Sequence, residues 1–425
     1  MNFEMSASFA QQLDQNDTLS HFRERFYIPR VNNQNAIYYT GNSLGLQPKS
    51  AQDFIMQELE DWKNLGVEGH FKGKRPWFGY HKYCTQSLAS LHGALEHEVV
   101  CMNNLTVNLH LLMASFYKPS GTRTKILMEA GAFPSDMYAV ESQVRMHGLD
   151  PNVHIIEVKP QEGRHFLETN EILKAIDTHA NELALVFFSG VQYYSGQFFD
   201  IQSITQKAHE VGALAGFDLA HTSGNRPLKL HEWNVDFAAW CSYKYLNSGP
   251  GGTSGVFIHE KHGLDPNTPR LAGWWGYRES TRFKMQKGFV PEPGAQGWQL
   301  SNAPVLNMAS HLASLQIFDE AGIHNLAQKS DLLTGFTAFC IETACNKNPD
   351  LELQIITPPL PHRAAQLSLL TQENGKHLFD YLSDQGVIAD WREPNVIRIA
   401  PVPLYNTFTE SYKFAELLLQ YKLHS

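Results

Sequence analysis

The chain has 425 residues, of which 43% are hydrophobic and 18% charged, and its formal net charge is −9. This composition excludes a disordered chain, and the length allows two or three domains around a large buried core. The net negative charge excludes a chain-wide basic field of the kind that binds nucleic acid or an anionic membrane surface. We therefore predict neither as a partner.

The N-terminal region is polar, and no run of 18 apolar residues occurs, so we predict neither a signal peptide nor a membrane span. The five cysteines are scattered and form no CxxC pair. This pattern favours reduced, mostly buried thiols and a cytoplasmic location. His259 and His262 lack the HExxH spacing of a zinc site, and we predict no metal site.

Short apolar runs alternate with amphipathic segments through the middle of the chain. In chain order, this pattern predicts strands at 125–128, 153–158, 183–188, 213–217 and 235–241, with a helix over 201–211. Strands separated by helices favour right-handed crossovers. We therefore predict an α/β fold, with a mainly parallel sheet and helices on both of its faces.

The last hundred residues change character and predict a smaller α+β unit. Its predicted elements are strands at 351–356, 364–370 and 396–400 and helices at 375–385 and 409–421. We divide the chain into an N-terminal segment (1–45), a large domain (46–320) and a small C-terminal domain (321–425).

Polar side chains follow two predicted strands, at the sheet edge where ligands bind. Asp218 and His221 come directly after the strand at 213–217. The carboxylate is equally consistent with binding a cationic ring nitrogen and with capping the next helix. Lys244 ends the following strand as a candidate amine nucleophile, with a solvated surface lysine as the alternative. Together, Asp218 and Lys244 fit pyridoxal phosphate, which needs both groups.

Two other segments carry side chains that suit a phosphate and a flat ring. Thr106 lies in an Asn- and Thr-rich run before the predicted helical stretch 109–116. Helix N-terminal amides with a hydroxyl form a phosphate site, although such residues more often only cap the helix. Phe133 follows a strand and can stack on a ring, but an isolated Phe in this setting is more often part of the core.

Taken together, these segments resemble the kynureninases, pyridoxal-phosphate hydrolases with the aspartate-aminotransferase fold (fold type I). The resemblance runs from about Tyr38 to Leu404. It rests on motifs that occur in order: Gly41-Asn-Ser-Leu-Gly-Leu46, Gly69-His70, Lys74-Arg-Pro-Trp77, Leu105-Thr-Val-Asn-Leu-His110, Phe133-Pro-Ser-Asp136, Phe217-Asp-Leu-Ala-His221, Trp240-Cys-Ser-Tyr-Lys-Tyr-Leu-Asn247, Gly273-Trp-Trp-Gly276, Ser301-Asn302 and Ile397-Arg-Ile-Ala-Pro-Val-Pro-Leu404. It implies a seven-stranded, mainly parallel sheet in the large domain.

The resemblance implies a set of cofactor contacts. Lys244 would form the Schiff base with pyridoxal phosphate, Asp218 would bind the ring nitrogen beside His221, and Phe133 would stack on the ring. The other implied contacts are Leu105, Thr106, Asp136, Ser189 and Tyr243, with the phosphate on Thr106 and Tyr243.

The resemblance also implies a homodimer with shared active sites. Trp274 and Asn302 match positions that reach a cofactor held mainly by the other subunit. Because Trp275 follows Trp274 directly, either indole fits the position, and the alignment of Gly273 and Gly276 favours Trp274.

The implied reaction is hydrolysis of L-kynurenine or 3-hydroxy-L-kynurenine to anthranilate or 3-hydroxyanthranilate plus L-alanine. Arg398 would bind the substrate α-carboxylate, with a strand-edge salt bridge as the alternative. Ser43 and His70 would lie near the aromatic end of the substrate. His70 and Asn302 are the pair found in family members that prefer the 3-hydroxy substrate, and we predict that preference here.

The predicted catalytic residues are Lys244, Asp218 and Tyr243, the last as an acid–base group beside the lysine. The nearest alternative is another fold-type I enzyme, such as a cysteine desulfurase or an aminotransferase. A desulfurase needs a mobile cysteine, and Cys340 and Cys345 lie in a predicted helix. A non-catalytic binding protein of this fold would be expected to lack Lys244 or Asp218.

Overall fold

In the computed structural model, which describes residues 2–422, fifteen strands form two main sheets and two short pairs, and thirteen α-helices surround them. The strands are β1 (Arg30–Val31), β2 (Gln34–Asn35), β3 (Ile37–Tyr38), β4 (Val99–Cys101), β5 (Lys125–Glu129), β6 (Ile155–Val158), β7 (Leu183–Ser189), β8 (Leu214–Asp218), β9 (Phe237–Trp240), β10 (Gly255–Ile258), β11 (Leu353–Ile355), β12 (Leu367–Thr371), β13 (Val387–Ile388), β14 (Asp390–Arg392) and β15 (Val396–Ile399). The helices are α1 (Ala7–Gln15), α2 (Ala51–Leu65), α3 (Thr85–His92), α4 (Leu105–Phe116), α5 (Pro134–Met146), α6 (Pro151–His154), α7 (Thr169–Thr178), α8 (Ile201–Glu210), α9 (Glu260–Gly263), α10 (Val305–Ala321), α11 (Ile323–Lys347), α12 (Gly375–Asp384) and α13 (Phe408–Gln420).

The large sheet has seven strands in the order β4-β10-β9-β8-β7-β5-β6. The pairs from β9 to β6 are parallel, and β10 is antiparallel to both of its neighbours. This arrangement confirms the predicted α/β fold with a mainly parallel seven-stranded sheet. In a sheet of this kind, the carboxyl ends of the parallel strands meet at one edge, where ligands bind.

Alternate residues of each strand enter two separate hydrophobic cores, one on each face of the sheet. On β7, Val186 and Phe188 belong to one core, and Leu185 and Phe187 belong to the other. Full burial of each such side chain stabilises the fold by about 1.5–3 kcal/mol. The strands are therefore fixed on both faces, and the side chains at their ends have fixed positions.

A second, antiparallel sheet has the order β11-β12-β15-β14 and packs with α11 and α13 around a separate core. The N-terminal region joins this core rather than the large one, because Ala10 and Leu13 of α1 are buried in it and β3 pairs with β13. Gly322 separates α10 from α11, close to the predicted boundary at 320. The three predicted residue ranges for the domains stay predictions.

One predicted strand begins differently in the structure. The segment 153–158 starts as the end of α6, and only Ile155–Val158 is extended. The Asp150 side chain accepts a hydrogen bond from the Asn152 N–H, and Pro151 takes the first helical position. The predicted helical stretch 109–116 likewise begins earlier, at Leu105.

Within residues 2–422, no helix has the length and apolar character that crossing a membrane requires. The five cysteines are all free, and four of them are buried.

Candidate active site

Neighbouring strands of the large sheet end in polar side chains that border one cavity of about 200 Å³. Ser189 ends β7 and Asp218 ends β8, and these two residues are paired in register. The cavity wall contains nine of the predicted cofactor contacts: Leu105, Thr106, Phe133, Asp136, Ser189, Asp218, His221, Tyr243 and Lys244. The fold thus brings together residues that span 140 positions of the sequence from 105 to 244.

The N-termini of α4 and α5 meet at one end of this cavity. Asn104 precedes α4, and Phe133 precedes α5. In the described part of the chain, neither N-terminus is capped by a hydrogen bond to the side chain at the capping position, so the first amides are available to an anion. Thr106 Oγ1 and Ser135 Oγ lie 2.7 Å apart at the same place. This end of the cavity suits a phosphate group.

Lys244 lies in the cavity wall shortly after β9 and is 9% exposed. Its Nζ lies 5.6 Å from the centroid of the Phe133 ring and 5.9 Å from that of the Tyr243 ring. The backbone here is fixed from outside, because the Gly45 N–H donates to the Tyr243 carbonyl at 2.8 Å. A Cβ at position 45 would lie 2.3 Å from the Lys244 carbonyl oxygen, so this close approach requires glycine.

Asp136 and Asp218 form a buried carboxyl pair in the cavity. Burial raises the pKa of both carboxyls, and each is also affected by the other. The positive charge of Lys244 and a hydrogen bond from the Ala220 N–H, at 2.6 Å, favour the ionised form of Asp218. Within the pair, the proton is therefore favoured on Asp136 and the negative charge on Asp218.

His221 and Tyr243 are both neutral side chains in the cavity wall. Burial lowers the pKa of His221 well below its usual value, and the charge of Lys244 lowers it further. Its Nδ1 is buried and has no hydrogen-bond partner among residues 2–422. Burial also raises the pKa of Tyr243, so the phenol is protonated at neutral pH.

These groups fit pyridoxal phosphate. A lysine amine, a carboxylate, an aromatic ring and two uncapped helix N-termini line the same cavity. This is the donor set that the cofactor requires for its aldehyde, its ring nitrogen, its ring face and its phosphate.

Arg398 lies beside the cavity rather than in its wall. Its Nε and one terminal nitrogen donate to Asp390 Oδ1 at 2.9 and 2.8 Å, and the other terminal nitrogen donates to the Tyr193 carbonyl at 2.7 Å. The salt-bridge alternative is therefore realised. Arg392 also binds Asp390, at 2.8 Å, so Asp390 keeps a partner if Arg398 turns toward a substrate carboxylate. Tyr193 connects the two regions, since its side chain lines the cavity.

Besides Arg398, four predicted contacts lie outside the cavity wall: Ser43, His70, Trp274 and Asn302. Trp274 is 47% exposed, whereas Trp275 is 8% exposed and packs against Arg282 and Phe78. Trp274 is therefore the more exposed of the two indoles, and its predicted contact with a partner's cofactor stays a prediction.

Trp274 belongs to an exposed group of aromatic side chains, which we call the aromatic patch: Phe71, Phe78, Trp274 and Phe283. The ring centroids of Phe71 and Phe78 lie 5.9 Å apart, those of Phe78 and Phe283 5.7 Å apart, and those of Phe283 and Trp274 6.1 Å apart. His70 adjoins one end, with its ring 6.3 Å from that of Phe71.

The sequence analysis missed several residues of the site. Tyr193 lines the cavity and packs edge-on against Phe133, with centroids 5.2 Å apart, but it lies in a loop without a recognisable signal. Ser135 was part of a quoted motif and received no role. Glu129 ends an apolar strand, as Asp218 does, and the same reasoning could have identified it.

Known proteins resemble this chain along its whole length. A family model of class-V aminotransferases matches residues 37–289, and a model of the kynureninase C-terminal domain matches residues 326–418. The chain is 51% identical to a kynureninase of Flavobacterium johnsoniae over 98% of both proteins. It is 50% identical to a kynureninase of Myxococcus xanthus over 98% of this chain and 97% of that relative.

A solved structure of an Escherichia coli cysteine desulfurase is also similar, with a TM-score of 0.74 and 14% identity over 95% of this chain and 98% of that one. At this identity, the similarity shows the fold alone. The relatives with 50% identity decide between the enzyme classes left open above, and they confirm pyridoxal phosphate as the cofactor and a kynureninase as the enzyme class. The chain belongs to the kynureninase family.

Proposed function

We propose that this enzyme hydrolyses L-kynurenine and 3-hydroxy-L-kynurenine to L-alanine and anthranilate or 3-hydroxyanthranilate, and that the 3-hydroxy substrate is preferred. The observation that carries this proposal is the single cavity that joins Lys244 to the Asp136–Asp218 pair within a chain of this family. One water is consumed for each Cβ–Cγ bond that breaks.

Bound pyridoxal phosphate supplies the electron sink that the bond-breaking steps require. Lys244 binds the cofactor through its amine and, once displaced by the substrate amine, takes the Cα proton. Asp218 would stabilise positive charge at the ring nitrogen, because it is buried and because Lys244 and the Ala220 N–H favour its ionised form. Asp136 keeps Asp218 in place through the shared proton, and Phe133 covers the ring.

Tyr243 is the proposed proton donor for the alanine product. Its phenol adjoins Lys244, and burial keeps it protonated at neutral pH. A protonated phenol in this position donates to Cβ as the aromatic carbonyl carbon, after water has added to it, leaves as the carboxylic acid, and it regains its proton from solvent after product release.

Arg398 is the proposed partner of the substrate α-carboxylate. The guanidinium group is 1% exposed and reaches the cavity wall through the Tyr193 carbonyl. Binding the substrate replaces the bonds to Asp390, while Arg392 keeps Asp390 neutralised. A planar guanidinium group matches a carboxylate with two parallel hydrogen bonds.

The enzyme is proposed to be a homodimer in which each subunit completes the site of the other. Trp274 belongs to the aromatic patch, and His70 lies beside its Phe71 end. Neither residue lines the cavity of its own chain. Asn302 lies two residues after Leu300, whose backbone contacts the Gly273 and Trp275 loop. A second copy that covers this surface would bring all three side chains to its partner's cavity.

The preference for 3-hydroxykynurenine rests on His70 and Asn302, which can hydrogen-bond a phenolic hydroxyl. A site built to bond a hydroxyl discriminates against a ligand that lacks it, because its own polar groups are then left unpaired. The free cysteines favour the cytoplasm as the location, since thiols stay reduced there.

The activity is tested by adding each substrate to protein reconstituted with pyridoxal phosphate. The expected result is alanine and the matching anthranilate in equal amounts, with the higher kcat/KM for 3-hydroxykynurenine. No product from either substrate would overturn the function. A higher kcat/KM for unsubstituted kynurenine would overturn only the preference.

The shared site is tested by mixing two impaired variants, Lys244→Ala and Trp274→Ala, under conditions that exchange subunits. If each site uses both chains, half of the dimers are hybrids with one intact site each, and about a quarter of the wild-type activity returns. Mixing that restores no activity would contradict the shared site. A Trp275→Ala variant is the control, because that buried indole is proposed to act only in its own chain.

A further inference from the structure

Glu129 is a buried carboxylate for which the proposed mechanism has no use. It ends β5, beside β7 in the sheet, and is 2% exposed. Within residues 2–422, all of its side-chain hydrogen bonds come from Ser189. The Ser189 hydroxyl donates to Oε1 at 2.5 Å, and the Ser189 N–H lies 3.2 and 3.3 Å from the two oxygens.

Ser189 lines the cofactor cavity, so Glu129 lies directly behind the cavity wall. Glu129, Ser189 and Asp218 end three adjacent strands and form a row along the carboxyl edge of the sheet. Because Ser189 donates its hydroxyl proton to Glu129, the lone pairs of the hydroxyl are the part left for a ligand. Glu129 therefore sets the orientation of a group that the cofactor is proposed to contact.

The charges around Glu129 are unbalanced. Three carboxyls share this end of the cavity, and Lys244 is the cation that affects two of them, Asp136 and Asp218. Burial, opposed by the hydrogen bonds from Ser189 and aided by the charge of Asp218, raises the pKa of Glu129 to about 7. The carboxyls that act on Glu129 from the cofactor side are Asp136 and Asp218, and on its other side Glu129 shares a second cavity with the titratable residues Arg164, His165, Tyr193 and Tyr194.

Arg164 does not balance Glu129, because its guanidinium group binds Glu168 and Glu171. A buried carboxylate without a cation is costly, and a cation entering the neighbouring cavity reduces that cost. The cofactor carries positive charge at its ring nitrogen and at its linkage to the lysine.

We propose that Glu129 is a positioning residue of the cofactor site, which fixes the Ser189 hydroxyl and, as a carboxylate, stabilises the positive charge of the bound cofactor. This inference rests on the proposed roles of Ser189, Asp218 and Lys244. It assigns part of the electrostatic work of the site to a side chain that does not touch the cofactor.

Three variants separate the two parts of the proposal. Glu129→Gln removes the charge, and its amide oxygen can still accept from Ser189. Glu129→Asp keeps the charge, and Ser189→Ala removes the hydroxyl while leaving the carboxylate. The measurements are the pH midpoint at which the visible absorption of the bound cofactor changes, and the rise in Tm on adding pyridoxal phosphate.

For Glu129→Gln, we expect the pH midpoint to fall by about one unit, because the protonated, cationic form of the bound cofactor loses a stabilising charge. The rise in Tm on cofactor binding should shrink, while the Tm of the cofactor-free variant should equal or exceed that of the wild type. Glu129→Asp should lie between Glu129→Gln and the wild type. Ser189→Ala should weaken cofactor binding with a smaller shift of the midpoint.

The inference would be overturned if the wild type and Glu129→Gln showed the same pH midpoint for the absorption change and the same rise in Tm on cofactor binding. The proposed function would then remain intact. Equal loss of Tm with and without cofactor, at an unchanged midpoint, would show a purely structural role and also overturn it. A wild type that takes up no pyridoxal phosphate would overturn the inference and the proposed function together.

Discussion

The buried carboxylates at the two edges of the large sheet differ in how many hydrogen-bond donors surround them. At the carboxyl edge, Asp136 and Asp218 line the cofactor cavity, Glu129 lies behind its wall, and all three have few donors. At the amino edge, Asp236 precedes β9 and accepts from His209 and His262, each at 2.7 Å, in addition to Lys261 and the Ala215 N–H.

Glu98 repeats the pattern of Asp236 at the start of β4. Its oxygens accept from the Leu95 and Glu260 N–H groups and from His231 Nδ1, at 2.8–2.9 Å. His259 lies 3.7 Å away on the other side. These donors satisfy the carboxylate, and the prediction that the chain has no metal site stays a prediction.

The pKa values follow the number of donors. Burial alone raises the pKa of Asp236, but its hydrogen bonds from His209 and His262 outweigh burial, and the result is a pKa well below the usual range. At the carboxyl edge, burial wins, and the pKa values of Glu129, Asp136 and Asp218 are all raised. Charges at the amino edge are therefore stabilised within the fold, and those at the carboxyl edge are suited to a cationic ligand.

The largest expected effect is that of Lys244→Ala. Without the amine, the cofactor has no covalent attachment and the Cα proton has no base, so kcat should fall on the order of 10⁴-fold. Steady-state assays with 3-hydroxykynurenine measure the loss, and unchanged circular dichroism controls for folding. Turnover within tenfold of the wild type would remove Lys244 from the mechanism.

Asp218→Asn and Asp236→Asn should differ in kind, which tests the contrast between the two edges. Asp218→Asn should lower kcat by about 10²–10⁴-fold with little change in Tm, because its charge serves the cofactor. Asp236→Asn should destabilise the protein by about 1–3 kcal/mol, because it removes the acceptor that several donors share. The folded fraction of Asp236→Asn should keep normal specific activity. Denaturant unfolding measures the loss of stability of each variant, and steady-state kinetics measures the loss of kcat.

Tyr243→Phe should lower kcat by about a hundredfold, since a positioned proton donor contributes 10²–10⁴. Cofactor affinity should remain within a few-fold of the wild type, because the helix N-termini still bind the phosphate. Absorbance titration with pyridoxal phosphate gives the affinity. Unchanged turnover would exclude Tyr243 as the donor.

The pH dependence of stability should have opposite signs at the two edges. The pKa of Glu129 is raised from 4.5 to about 7, so its contribution is present at low pH and is lost as the pH rises through 7. Relative to Glu129→Gln, the cofactor-free wild type should lose about 3 kcal/mol of unfolding free energy between pH 4 and pH 8.

The pKa of Asp236 is lowered, so the contribution of Asp236 to the free energy of unfolding is lost as the pH falls below about 4. Urea unfolding at several pH values measures both, and a constant difference from Glu129→Gln would contradict the raised pKa.

Much of this site follows from the sequence because its parts are local. Apolar strands that end in Asp218 and shortly before Lys244 carry both the fold and the chemistry, and parallel strands bring their ends together without further information. The family motifs supplied the residues that local patterns could not, such as Ser189 and Asp136. The aromatic patch escaped prediction because Phe71 and Phe283 are more than two hundred positions apart and read as ordinary apolar residues.

Other features depend on contacts that only the folded chain creates. Tyr193 enters the site from a loop, and Asp390 reaches Arg398 from the neighbouring strand β14. The donors of Asp236 come from α8 and α9, and no spacing in the sequence links them. Whether a buried carboxylate is satisfied is a property of several segments at once, so the contrast between the two edges appears only in the structure.

The most direct test of the account is to find the lysine that carries the cofactor. The holoenzyme would be reduced with borohydride and digested, and the labelled peptide would be identified by mass spectrometry. The account predicts a single pyridoxyl label on Lys244 and none on Lys244→Ala treated in the same way. A label on another lysine, or none on protein that cleaves kynurenine, would contradict the assignment of the cavity as the active site.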